Sequence, residues 1–283
     1  MTAPPLIGVI GGEGEAVKFA AAAETCSVAI RLYVPSQSLE QFAAGLSVAV
    51  PDSFVPLPLA RELSKHVPLV PNLHALEAAQ DRLVERQLFK SLGILCPPFA
   101  GVESVTGVET AIAKFGLPAC LLSRGKLGPT AGQSRRLSDT AAVSVEFAQV
   151  DKPAIVEADA ECDTVVHLAG VRTSEGNVEF WPPVEGSLLE IQVDRLPLDV
   201  LKRARSVATR VAEALNLVGV FRVKLLQIQG HLLAYEFLVG LSLRIVNVFD
   251  DIQIQGLFAN QYENHLLASV GLPLRACDLV VGN

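Results

Sequence analysis

The residues whose types and spacing can do chemistry are few. Gly11-Gly12-Glu13-Gly14 follows a short apolar run and precedes an alanine-rich stretch. Such a turn can aim backbone N–H groups and a helix N-terminus at a phosphate. A tight strand-to-helix turn also needs glycine for its own geometry, and the full G-x-G-x-x-G fingerprint is absent. Both readings stay open. Cys26, Cys96, Cys120, Cys162 and Cys277 are widely spread, with no Cys-x-x-Cys pair. They are expected to be reduced, mostly buried thiols in a cytoplasm-like compartment. His66, His74, His167, His231 and His265 show no metal-ligand spacing, which argues against zinc.

Charged residues make up 19% of the 283, below the roughly 25% of an average globular chain. Hydrophobic residues make up 50%, a share that excludes disorder. Arg31, Asp52, Arg61, Arg82 and their like interrupt every apolar stretch before it reaches the ~18 residues of a membrane helix. The expectation is therefore no membrane span and a large core. The net charge is −7 with no basic block, which argues against nucleic-acid binding. Met1-Thr2-Ala3-Pro4-Pro5 carries no basic region, so neither a secretory signal nor a transit peptide is expected. A cytoplasmic location follows as an expectation. At about 150 residues per domain, the length suits two or three compact units.

The elements that must position any site follow from the hydrophobic pattern. Leu6 to Ile10 reads as a buried strand, followed by a helix through Ala23 and a second strand over Ser27 to Val34. That order begins a parallel βαβ unit. Prolines at 51, 56, 58, 68 and 71 leave room for short strands and one helix around Leu57 to His66. One long helix is predicted from Leu73 to Leu92, its stripe formed by Leu76, Ala79, Leu83, Leu88 and Leu92, with Gly93 as its stop. Further on come a helix at about Val108 to Lys114 and a strand at Ala119 to Leu122. A polar loop over Ser123 to Gln133 leads to a helix from Ser138 to Ala148 and a strand at Ala154 to Glu157. Strands are expected at Thr164 to Val171 and Val178 to Trp181, then a helix over Leu198 to Leu215. A hairpin follows over Val218 to Phe237, turning at Gln229-Gly230. The last helix includes Gln261 to Val270.

Five stretches resemble a known family. They are Ala79 to Phe89 with its Asp81-Arg82 pair, Leu92-Gly93-Ile94 with Pro97-Pro98-Phe99, Phe115-Gly116-Leu117-Pro118-Ala119, Leu217-Val218-Gly219-Val220, and Gln261-Tyr262-Glu263-Asn264-His265-Leu266 with Gly271-Leu272-Pro273-Leu274. In this order they resemble the ATP-grasp proteins, and among them the N5-carboxyaminoimidazole ribonucleotide synthetases of purine synthesis. The resemblance implies a mixed α/β and α+β fold: a preATP-grasp parallel-sheet domain, then a two-subdomain ATP-grasp fold. It implies a preATP-grasp domain over 1–72, a connecting helix and crossing segment over 73–100, a small ATP-grasp subdomain over 101–157 and a large one over 158–283. Family members usually continue past the position of Asn283 into a small C-terminal domain, which is expected to be missing here.

The resemblance also implies site residues. Arg82, Gln133 and Glu157 fall on nucleotide-binding positions, with the backbone at Val156-Glu157 meeting the adenine. Glu236 falls on a metal-ligand position, and Arg244 and Asn247 on the catalytic Arg and Asn of the family. Other positions depart from the pattern. The family's phosphate-binding lysine falls on Leu122, with Lys126 nearby as a substitute. Its ribose-binding acid falls on Val165, with Glu161 and Asp163 as substitutes or as ordinary loop acids. Its first metal ligand falls on Lys224, which the hairpin is expected to pair with Glu236. The neighbouring asparagine is Tyr235. ATP and Mg²⁺ are the cofactors implied for an active member. Loss at several sites together favours a non-catalytic or strongly diverged member acting as a binding or structural subunit. The alternative is an active ATP-dependent carboxylate–amine ligase. Apolar surface beyond these changes is expected to serve a protein partner or a homo-oligomer, beside a nucleotide or other small ligand.

Overall fold

A computed structural model describes residues 4–51, 55–127, 134–185, 192–193, 196–240 and 260–277. The contacts divide the chain into two units. The first holds 1–76, 166–223 and 238–283, and the second holds 77–165 and 224–237.

The first unit opens with β1 (Leu6–Ile10), α1 (Glu13–Cys26), β2 (Ala29–Leu32), α2 (Leu39–Ala43), β3 (Val48–Pro51) and α3 (Leu57–Leu63). The apolar run of β1 lies in the middle of a parallel sheet of order β2-β1-β3, with Ile7 beside both Ile30 and Val48. A central parallel strand is covered on both faces, which is why it reads as a continuous hydrophobic run. One face of α1, carrying Phe19, Ala22, Ala23 and Cys26, joins Ile7, Val9 and Val48 in a single core. The core also takes residues from the last helix, which the sequence places over 261–270 and the structure over Gln261–Ser269. Asn260 caps that helix by accepting from the Tyr262 N–H. On it, the buried His265 accepts from the Val220 N–H at 2.9 Å through Nδ1. Burial pushes the His265 pKa down to about 4, against a smaller opposing effect of the Val70 backbone. Gly219 makes this contact possible. Its φ is +96°, and a Cβ there would sit 2.6 Å from His265 Cε1.

In chain order the next helices are α4 (Leu73–Gln80) and α5 (Arg82–Ser91), where the sequence predicts one helix. The break is Asp81, which is extended at φ −126° and ψ 110° and accepts from the Leu83 and Val84 N–H groups. A free carboxylate gains more as an N-cap than inside a helix. The break also frees backbone. Arg82 N–H donates to the Arg124 carbonyl and Lys126 N–H to the Gln80 carbonyl, at 2.9 and 2.8 Å. Restarting the helix changes its phase. Leu83 and Leu88 of the predicted stripe are only half-buried, while Glu85, Arg86 and Phe89 form the buried face.

The second unit contains α5, β4 (Phe99–Val102), α6 (Val105–Phe115), β5 (Ala119–Ser123), β6 (Ser134–Leu137), α7 (Val143–Ala148) and β7 (Ala154–Ala158). The strands make an antiparallel sheet of order β4-β7-β5-β6. Their apolar face closes with Val108, Ile112, Val143 and Phe147 over Leu121, Leu137 and Val156. The predicted helix from Ser138 starts later, at Val143, because Asp139 forms a turn by accepting from the Ala142 N–H.

Two elements that follow are β8 (Thr164–Arg172) and β9 (Val178–Phe180), with short strands β10 (Val184–Glu185) and β11 (Gln192–Val193). After α8 (Leu198–Ala214) comes the hairpin β12 (Gly219–Ile228) and β13 (His231–Val239). These strands form a sheet of order β11-β10-β8-β12-β13, with β9 on β8. The hairpin turns through Gln229 and Gly230, both at positive φ, the conformation that two-residue hairpin turns demand. Residues equidistant from that turn face one another. Lys224 is thereby set opposite Tyr235, not opposite Glu236.

No helix among the described residues is long and apolar enough to cross a membrane. All five cysteines are free thiols, but only Cys26 and Cys277 are buried; Cys96 and Cys120 are half-buried and Cys162 is exposed. The expectation of mostly buried thiols fails because Cys96 and Cys162 lie in loops and Cys120, on the inner strand β5, lines a cavity.

Candidate functional site

The second unit carries a closed cluster of charge. Glu85 and Arg86 of α5 are 1% and 2% exposed, as is Glu157 of β7 at 1%. Arg86 Nη1 donates to Glu85 Oε2 at 2.8 Å, while Nε and Nη2 donate to Glu157 Oε2 at 3.2 and 3.0 Å. Lys126 Nζ donates to Glu85 Oε1 at 2.6 Å and to the Phe237 carbonyl at 3.2 Å. The Phe237 N–H also donates to Glu85. Two carboxylates and two cations therefore balance, and hydrogen bonds occupy both. Such balance is what makes buried charge tolerable. Burial still holds the Glu85 carboxyl above its usual range, against the pull of Lys126 and Arg86. For Arg86, burial opposes the charge, but Glu85 and Glu157 outweigh it and the pKa rises.

Tyr235 links this cluster to a cavity. Its ring centroid lies 5.1 Å from the Arg86 guanidinium and 4.8 Å from the Lys224 ammonium. Burial raises the pKa of its hydroxyl, and the hydrogen bond to Glu157 adds to the shift. The cavity holds about 210 Å³, and its lining includes Glu157, Asp159, Val165, Lys224, Leu226 and Tyr235. That is below the roughly 300–1,000 Å³ of pockets for drug-sized ligands. A ligand of that size or larger would extend beyond the cavity.

The sequence-predicted residues fall as follows. Glu157 lies at the cavity, its side chain committed to Arg86 and Tyr235. Arg82 Nη1 donates to the Ser123 and Gly125 carbonyls at 2.9 and 3.0 Å, so it pins the chain leaving β5. Burial lowers its pKa while Glu85, Glu236 and Glu157 oppose that shift. Glu236 is half-buried on β13, within electrostatic reach of Arg82 and Glu85. The predicted Lys224–Glu236 ion pair is corrected by the hairpin register, because Lys224 meets the Tyr235 ring instead. Leu122 is buried on β5 at 6% exposure. Lys126 is not a flexible loop lysine, since it is 9% exposed and held by Glu85. Val165 lines the cavity where the acid was expected. Of its proposed substitutes, Glu161 is exposed, and Asp163 accepts from the Gln229 N–H at 2.7 Å to brace the hairpin turn. Gln133, Arg244 and Asn247 lie outside the described residues. Sequence reasoning gave no role to Glu85 and Arg86. The only signal for them was an Asp-capped helix start that shifts the buried face onto two charged neighbours.

Residues 87–239 match the family described as the ATP-grasp domain, a span of more than half the chain. The chain belongs to the ATP-grasp family. A curated relative is the N5-carboxyaminoimidazole ribonucleotide synthase of Pseudomonas aeruginosa, 34% identical over 225 residues, covering 78% of this chain and 61% of that protein. The chain thus spans less than two thirds of that relative's length. The crystal structure of N5-carboxyaminoimidazole ribonucleotide synthetase from Thermus thermophilus superposes with a TM-score of 0.83 at 28% identity, covering 96% of this chain and 80% of that one. The N5-carboxyaminoimidazole synthase of Aspergillus clavatus, solved with ADP and 5-aminoimidazole ribonucleotide, shares the fold at TM-score 0.82 and 17% identity over 98% of this chain and 80% of its own. The ATP-grasp fold with a parallel sheet and antiparallel sheets is therefore as the sequence led one to expect.

The resemblance implies Mg²⁺ held by two carboxylates, and the residues can be tested against it. Mg²⁺ takes oxygen ligands, commonly one or two carboxylates plus phosphates. Of the two positions that the resemblance implies, one carries the Glu236 carboxylate and the other the Lys224 ammonium. Among the described residues no group of three His, Cys, Asp or Glu side chains is placed to hold a metal ion. A single carboxylate leaves Mg²⁺ dependent on ligand phosphates for the rest of its ligands.

Proposed function

We propose that this ATP-grasp protein holds an adenine nucleotide at the cavity beside Glu157 and does not carry out the ATP-dependent carboxylation of its relatives, acting as a binding or structural subunit. The observation that carries this reading is the closed charge cluster. Lys126, the loop lysine that the resemblance offers as a replacement for the phosphate-binding lysine, has its ammonium bound to Glu85 and the Phe237 carbonyl. An ammonium so engaged is poorly placed to stabilise charge developing on a transferring phosphoryl group. ADP in the Aspergillus structure supports an adenine nucleotide as the ligand.

A second reading is an active carboxylate–amine ligase acting on aminoimidazole ribonucleotide or a related substrate. The 34% identity to the Pseudomonas synthase favours it. Under it, Arg244 and Asn247 form the catalytic pair, Gln133 joins Arg82 and Glu157 at the nucleotide, and Glu236 is the remaining metal-facing carboxylate. Both readings take a cytoplasmic location, a protein partner or second copy, and the division at 1–72, 73–100, 101–157 and 158–283. The test is phosphate release with ATP, Mg²⁺, bicarbonate and aminoimidazole ribonucleotide. The first reading expects a rate at the no-protein background. Substrate-dependent release well above that background overturns it in favour of the second.

A further inference from the structure

The cavity beside Glu157 has an unusual balance of charge. It is lined by two carboxylates, and each is already neutralised. Glu157 takes the Arg86 guanidinium and the Tyr235 hydroxyl. Asp159 Oδ2 accepts from Arg136 Nε at 2.7 Å. Burial raises the pKa of the lining thiol, Cys120, which keeps it neutral. One lysine lines the same cavity. Lys224 has no carboxylate partner among the described residues, and its contact is the Tyr235 ring at 4.8 Å. The π face attracts an ammonium without cancelling its charge. With Arg86 and Arg136 set against the two lining carboxylates, the Lys224 ammonium is the charge of the lining left without a carboxylate at hydrogen-bond distance.

From this we infer that Lys224 supplies the countercharge for a bound nucleotide, and that the cavity takes an adenine nucleotide in its metal-free form. The inference rests on the nucleotide reading above and adds how its charge is met. A half-buried ammonium is a point charge with three donors, suited to phosphate oxygens. The same ammonium repels a divalent cation brought in by Mg-ATP, and ligand phosphates paired with it are less available to a metal. The tyrosine opposite Lys224 holds the ammonium on the strand face, so its long stem is ordered before a ligand arrives.

The test is a calorimetric titration of the whole chain with ADP, ATP and adenosine, in EDTA and in excess Mg²⁺. The expected result is ADP and ATP binding in EDTA with no gain from Mg²⁺. Lys224→Met should lose at least tenfold in ADP affinity and leave adenosine affinity unchanged. Lys224→Arg should retain most of the ADP affinity. This second variant separates charge from fold, since it keeps the cation and the ring contact. If Mg²⁺ tightens ATP tenfold or more, or if Lys224→Met binds ADP as the parent does, the countercharge role is overturned and nucleotide binding stands. If neither adenosine nor a nucleotide binds under any condition, the nucleotide reading itself is overturned, and this role with it.

Discussion

Replacing Lys126 with methionine tests whether this lysine serves the fold or a ligand. The stem is kept and the ammonium is lost. Glu85, 1% exposed, then keeps Arg86 and the Phe237 N–H but loses its 2.6 Å partner. The Phe237 carbonyl loses a donor as well. Removing one member of a buried pair costs about 3–5 kcal/mol, mostly through the charge left behind. Arg86 still compensates part of that charge, so the lower end applies, about 3 kcal/mol. The loss should depend on pH. Burial already raises the Glu85 pKa in the fold above its unfolded value, so stability falls as pH rises through the folded value. Without the ammonium the pKa rises further, and the penalty is larger at pH 8 than at pH 5. Urea unfolding at both pH values measures this. Glu85→Leu combined with Lys126→Met should recover most of the loss, since an apolar pair of similar volume is close to neutral. A loss under about 1 kcal/mol, or a double variant no better than the single one, refutes the structural role of the cluster.

Two further outcomes follow from the caps and the buried imidazole. His265 titrates at about 4 in the fold and 6.5 unfolded. Stability should be level above pH 6.5 and then fall by about 3 kcal/mol as pH drops toward 4, because the unfolded chain binds the extra proton. The urea midpoint across that range checks it, and an unchanged slope in His265→Gln would assign the loss elsewhere. Asp81→Ala should cost about 1–2 kcal/mol by removing the cap on Leu83 and Val84 and the bond from Arg124. Asp81→Asn keeps the cap and should cost less than half as much. Equal thermal-unfolding losses would show that the ion pair, and not the cap, holds the break.

What the sequence revealed divides along one physical line. Strand β1 and helix α8 were legible because a run of Leu, Ile and Val, or a stripe such as Ala204, Ala208 and Val211, carries its own periodicity. The fold followed because motifs such as Gly219-Val220 and the last helix mark places where backbone packs closely. The site was less legible because its partners are remote in the chain. Arg86 meets Glu157 and Lys126 meets Glu85 only after the sheet has formed, and the Asp81 cap, which turns residues 85 and 86 inward, does not name those partners.

The misplaced ion pair is the most instructive case. Matching Lys224 and Glu236 to a pair of metal ligands made them partners by role. Cross-strand contact is set by the turn, and a two-residue turn at Gln229-Gly230 faces Lys224 with Tyr235. Lys224 and Tyr235 therefore act as one unit. An asparagine at 235 would present no π face to either the Lys224 ammonium or the Arg86 guanidinium, and two cations would approach the same strand unshielded. A carboxylate at 224 would face the ring's negative π surface instead of an ammonium that it attracts. Building a carboxylate pair at 224 and 236 thus requires Lys224→Glu and Tyr235→Asn together, with either single substitution less favourable than the pair.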